Sequence, residues 1–137
     1  MKIDEFINKS ISFEYTNEMD FEDSMFNINI IDQIYSGEHH CKIELNNLQN
    51  NEKTYPLDYS KFHEYFEKIL SINFNELLIK SKMQGLDGST LKINIGYGGS
   101  SIKFSIWCYD LDYKNRGLEE IYNIFSELLN ICEIKLK

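Results

Sequence analysis

"GLDGSTLKINIGYGGSSIKFSIW", Gly85 to Trp107, holds five of the seven glycines in a chain of 137 residues. Such a stretch either wraps a phosphate or turns a chain back on itself. A phosphate cradle aims backbone N–H groups at the anion, with a strand before it and a helix N-terminus after it. "GYGGSS" carries neither the dinucleotide fingerprint nor the Gly-Lys-Ser/Thr ending of a P-loop. Leu91, Ile93 and Ile95 alternate with polar neighbours before it, and Ile102, Phe104, Ile106 and Cys108 alternate after it. Period-two patterns on both sides are those of half-buried strands. Gly96, Gly98 and Gly99 are therefore read as allowing positive φ in a hairpin, with Asp87-Gly88 as a further turn. Lys103, Ser105, Trp107 and Tyr109 fall on the opposite face of the second strand.

The same period runs through the first half. "MFNINIIDQIY" alternates at Phe26, Ile28 and Ile30, and Ile31 then breaks the pattern, which predicts a bulge. After the turn "SGEH", Cys41, Ile43 and Leu45 alternate with Lys42, Glu44 and Asn46, completing a second hairpin. "SFEY" reads as a strand, "KIDEFINKS" as a short helix and "NNLQNNEKTYP" as a polar loop ending at the only proline, Pro56. Phe62, Tyr65, Phe66, Ile69 and Leu70 recur at helical spacing opposite Glu64, Glu67 and Lys68, predicting an amphipathic helix over 58–71 capped by Asp58 or Ser60. A second stripe of Leu118, Ile121, Ile124, Phe125, Leu128 and Leu129 marks the closing helix. Residues 73–84 fit either a helical turn or a strand beginning at Leu77. No linker or repeat divides the chain. The pattern is one α+β domain over residues 1–137, an antiparallel β meander with two main amphipathic helices packed on one face.

The chain is 42% hydrophobic and 14% aromatic, enough to build a core. Its net charge is −8, and residues 1–58 carry four lysines against twelve acids whereas residues 59–137 carry ten bases against ten acids. The excess is thus confined to the first half and is densest in "EYTNEMDFED". Such a field repels nucleic acid and anionic membranes and attracts a basic partner; its alternative role is solubility alone. No basic stripe interleaves with aromatics, so no nucleic-acid partner is expected. No apolar run reaches membrane-span length and no apolar leader core follows Met1, so no membrane association and a cytoplasmic location are expected. Cys41, Cys108 and Cys132 are odd in number and widely spaced, which reads as free thiols.

Candidate chemistry is sparse. His39, His40 and Cys41 are adjacent, and neighbours on a strand alternate sides, so all three cannot face one ion. His63-Glu64 lacks the second histidine of a zinc-protease helix, and no Gly-x-Ser-x-Gly is present. Asp110 and Asp112 lie two apart between Tyr109 and Tyr113; such a pair serves acid/base chemistry, holds a cation, or is a solvated loop. The acidic run 14–23 lacks EF-hand spacing. No metal, cofactor or catalytic residue is expected. Acids mixed with aromatics instead suit an anchor-plus-charge surface, formed by Glu14, Glu18, Asp20, Phe21, Glu22 and Asp23, with Tyr109, Asp110 and Asp112 second and Tyr15 and Tyr113 nearby.

"GLDGST" leading into a strand, "SIKFSIW" ending in tryptophan, the closing helix "LEEIYNIFSELLNI" and the earlier helix "YSKFHEYFEKIL" together resemble small bacterial immunity proteins of polymorphic or contact-dependent toxin systems. The resemblance implies a cytosolic binder without turnover, whose partner is a cognate toxin domain, often a basic nuclease. The alternative is a non-catalytic interaction or regulatory module in which Trp107 and the exposed sheet face take a peptide or small ligand.

Overall fold

In the computed structural model, which describes residues 7–17, 25–47, 52–82 and 88–136, the two hairpins read from the sequence belong to one antiparallel sheet. Its strands are β1 (Lys9–Asn17), β2 (Met25–Tyr35), β3 (Glu38–Asn47), β4 (Glu52–Pro56), β5 (Ser89–Tyr97) and β6 (Ser100–Trp107), in the order β4-β3-β2-β1-β5-β6. The chain meanders from β1 out to the β4 edge. It then crosses through α1 (Tyr59–Leu70) and α2 (Phe74–Lys80) and returns as the β5–β6 hairpin on the other side of β1, before α3 (Glu119–Ile131) closes the fold. The glycine-rich stretch is the hairpin predicted for it. Tyr97 pairs with Ser100, and Gly98 takes φ +62 at the first central position of the loop, a conformation that costs glycine little. Of the short helix predicted for residues 2–10, residues 2–6 lie outside the described residues and Lys9 and Ser10 begin β1 instead of a helix; Asp87 also lies outside the described residues.

Alternation decides which residues enter the core. Ile11, Phe13 and Tyr15 of β1, Phe26, Ile28 and Ile30 of β2, Ile43 and Leu45 of β3, and Leu91, Ile93 and Ile95 of β5 all point to the helix-bearing face and are buried. The helices meet them with the stripes read from sequence: Phe62, Tyr65, Phe66 and Ile69 from α1, and Ile121, Ile124, Phe125, Leu128 and Leu129 from α3. Phe125 stacks against Phe13 at 5.7 Å and Phe26 at 6.3 Å between ring centroids. Each such fully buried aromatic removes enough apolar surface from water to stabilise the fold by about 1.5–3 kcal/mol. Helices α1 and α3 run antiparallel, because Lys61 meets Glu127 at 3.5 Å while Lys68 meets Glu120 at 4.0 Å. The Tyr65 hydroxyl donates to Glu127 at 2.6 Å, which satisfies a polar group that burial would otherwise leave costly.

Four further local expectations change, and one open choice is settled. The bulge at Ile31 is not there: Ile30, Ile31 and Asp32 pair in unbroken register with Ile43, Lys42 and Cys41. The inward series continues through Asp32, which is fully buried, while Ile31 takes the opposite face. An apolar residue outside and an acid inside disguised a regular strand as an irregular one. The polar loop before Pro56 holds β4, an edge strand whose one apolar inward residue, Tyr55, leaves no alternation to detect. The ambiguous segment is helical, and Asn73 caps α2 by accepting from the N–H groups of Asn75 and Glu76. Asp58 stands at the N-cap of α1 but makes no side-chain cap bond. Cys108 leaves the strand at φ +44 instead of extending the apolar face of β6.

Candidate functional site

All three helices pack on one face of the sheet, as Phe13–Phe125, Phe66–Tyr97 and Phe74–Phe104 contacts record. Among the described residues the other face carries no helix. Its side chains are the polar members of each alternation. Pairing places Glu52, Asn46, Asn27, Glu14, Lys92 and Ser105 in one row from β4 to β6. The adjacent row is Thr54, Glu44, Asn29, Ser12, Asn94 and Lys103. Charge is graded along both rows: the acids Glu14, Glu44 and Glu52 belong to β1, β3 and β4, and the lysines Lys92 and Lys103 to β5 and β6.

Glu14 sits near the middle of this face, on a central strand, half-buried. Among the described residues its carboxylate makes no hydrogen bond and no ion pair, although Lys92 lies opposite it on β5. Glu44, by contrast, holds Lys42 at 2.9 Å. Beside Glu14 is a shallow depression of about 170 Å³ lined by Glu14, Met25, Phe26, Asn27, Asn46 and Asn47. Asn27 is oriented there by Ser12, whose hydroxyl donates to Asn27 Oδ1 at 2.9 Å. In the neighbouring row Asn94 Oδ1 is buried with no hydrogen-bond partner among the described residues. The face therefore offers acceptors in want of donors, a chemistry suited to binding cationic N–H groups.

The other predicted contact residues divide into three groups. Glu18, Asp20, Phe21, Glu22 and Asp23 lie outside the described residues. Tyr109 is a correction: only 5% exposed, it packs edge-on against Phe125 at 5.0 Å and cannot anchor a partner. Burial, with the Asp110 charge adding to it, pushes its hydroxyl pKa well up. Tyr15 is buried in the same aromatic cluster. Its hydroxyl pKa is raised chiefly by desolvation. Asp110 and Asp112 are exposed in the turn after β6, where Asp112 adopts φ +50 and accepts from Asn115 Nδ2 at 2.8 Å. Tyr113 is half-buried and stacked on Tyr122 at 3.8 Å. The turn adjoins the helix-bearing side of β1, through Tyr109 and Tyr15, whereas Glu14 faces the opposite side.

Two polar clusters stand out that the sequence reading missed. Asp32 accepts from His39 Nδ1 at 2.9 Å and from the Cys41 thiol at 3.4 Å. His39 stacks on Tyr59 at 3.9 Å, whereas His40 lies on the other side of the strand and stacks on Tyr35 at 3.6 Å. Both the imidazole and the thiol are bonded to the carboxylate, not to each other. Burial, then the bond to Asp32, pushes the Cys41 thiol up to about 12, which keeps it protonated and non-nucleophilic. Among the described residues no three His, Cys, Asp or Glu side chains converge to hold a metal ion. Arg116, 3% exposed, donates to the carbonyls of Ser81, Trp107, Cys108 and Leu111 and so fixes the turn that follows β6. The chain's single arginine was the only available signal for that role.

No helix of the described residues is long and apolar enough to cross a membrane. The chain matches no family model and no curated protein sequence.

Proposed function

We propose that this chain is an immunity protein: it binds a cognate bacterial toxin domain with basic surface and neutralises it by occlusion, without turnover. The observation that carries the reading is Glu14, a half-buried carboxylate without a partner among the described residues, on a sheet face that no described helix covers. Leaving a partly desolvated charge unpaired costs stability, and a cationic partner recovers that cost on binding. The acidic excess of residues 1–58 supports the same polarity of partner, because a negative field steers a basic protein into encounter.

Affinity capture from the native cell, followed by a neutralisation assay on whatever copurifies, tests the reading. A toxin domain whose activity is blocked by stoichiometric protein supports it, with association that slows as salt is raised. Replacing Asp20, Glu22 and Asp23 together with Asn, Gln and Asn should slow association and flatten its salt dependence. An unchanged on-rate rejects the acidic run as the steering element. Capture of only a peptide or small ligand, with Trp107 fluorescence responding to it, favours the alternative of a regulatory module.

A further inference from the structure

The depression beside Glu14 has a definite donor–acceptor character. At about 170 Å³ it is smaller than the clefts that enclose drug-sized ligands. It suits one side chain. Glu14, Asn27 and Asn46 stand side by side in one row of the open face, Met25 adds apolar surface on the same face, and Phe26 and Asn47 line it from the opposite alternation. Asn27 Oδ1 uses one lone pair for Ser12 and retains the other. A carboxylate, amides on adjacent strands and the apolar Met25 side chain call for a flat cation with several divergent N–H groups. An ammonium is a compact point charge with three donors, whereas a guanidinium presents five in a planar fork and packs its faces on apolar groups.

We infer that this depression is a guanidinium seat, which takes an arginine side chain of the partner protein with Glu14 as its counter-ion. The inference rests on the binding reading above and deepens it. Glu14 receives the fork in a charge-assisted pair, and the Asn27 and Asn46 oxygens take the remaining N–H groups. Lys92, opposite Glu14 on β5, is exposed and unbonded to it, so it does not occupy the carboxylate.

The test is an NMR titration of the isotopically labelled full chain with N-acetyl-arginine amide, N-acetyl-lysine amide and N-acetyl-citrulline amide. Citrulline keeps the shape of arginine and lacks the charge. The arginine probe should shift the resonances of Glu14, Asn27, Asn46 and Asn47 at the lowest concentration, with binding about tenfold weaker for citrulline and in Glu14→Gln. Asn46→Leu should weaken arginine binding with the rest of the spectrum unchanged, which separates loss of the seat from loss of the fold. Equal response to arginine and citrulline, shifts centred elsewhere, or wild-type affinity in Glu14→Gln overturns the seat. These outcomes do not depend on toxin capture: a captured toxin with no arginine response sinks the seat alone, and a localised arginine response without any toxin leaves the seat standing and sinks the immunity reading.

Discussion

The Asp32 carboxylate, fully buried on β2, accepts a hydrogen bond from His39 Nδ1 across the β2–β3 pair at 2.9 Å. A buried charge of this kind is tolerated only while its donors are present. His39→Ala removes the nitrogen donor and leaves the weak thiol donor of Cys41. The expected loss is about 1–3 kcal/mol. Asp32→Leu, which replaces the charge by an apolar side chain of similar length, should cost less than His39→Ala. Urea unfolding of the two variants checks the order, and the reverse order would mean that the carboxylate stabilises the fold outright.

Alkaline pH should unfold the protein earlier than its acid content alone suggests. Burial raises the thiols of Cys41 to about 12 and Cys132 to about 11 from an ordinary value of 9.0. The hydroxyls of Tyr65, Tyr109 and Tyr15 are also raised, mainly by desolvation. All are groups whose neutral form the fold prefers. Above the unfolded values the unfolded chain releases protons that the native one retains, so their stabilising contribution is intact below pH 9 and is lost as pH rises toward 12. The Tm should fall through that window, with the Cys41→Ser and Cys132→Ser double variant showing a shallower fall at its lower end. A Tm flat from pH 8 to 11 contradicts the assignment.

Arg116 adds to the backbone bonds of the turn after β6, among them Leu111 N–H to the Cys108 carbonyl at 3.1 Å. Five N–H···O contacts, from 2.6 to 3.2 Å, join Arg116 to four carbonyls, and among the described residues no carboxylate bonds to it directly. Arg116→Lys keeps the charge but supplies only three donors from one point, so it strands buried carbonyls. A loss of about 2–3 kcal/mol is expected, read as a lower urea midpoint at unchanged slope. A near-neutral Arg116→Lys would show that charge, not the fork, holds the turn.

The core was legible because its signal is periodic: Leu91, Ile93 and Ile95 announce a strand, and the Phe62-to-Leu70 stripe a helix, with no help from the rest of the chain. Features that depend on a distant partner were not. Asp32 reads as a surface acid until His39 and Cys41 are folded back beside it. Tyr109 reads as a contact residue because acids flank it, yet the turn set by Arg116 swings it under α3. Local composition carried more weight for Tyr109 than it could bear, since polarity of neighbours in sequence says little about neighbours in space. For Glu14, β1 puts the side chain on the uncovered side of the sheet, whereas Tyr15, read from sequence as part of the same surface, alternates into the core. That the depression beside Glu14 is built from amides of β2 and β3 depends on a strand register no local pattern specifies.

Gly88 controls the position of Trp107. It takes φ +147, and a Cβ placed on it would lie 2.6 Å from Cys108 Sγ and 3.0 Å from Trp107 Nε1. Both the backbone angle and the space exclude a side chain, so Gly88→Ala must displace the indole or the start of the Arg116-held turn. Overpacking of this sort costs about 1–3 kcal/mol. Trp107 is the only tryptophan, so its emission isolates the event: the expected result is a red shift and easier quenching in Gly88→Ala, with the far-UV spectrum retained. Trp107 belongs to the lysine-bearing side of the open face and Glu14 to the acid-bearing side. If the proposed partner binds through the Glu14 depression, Gly88→Ala weakens that binding only in proportion to lost stability. A variant that stays folded and loses all binding would move the interface to the β5–β6 edge.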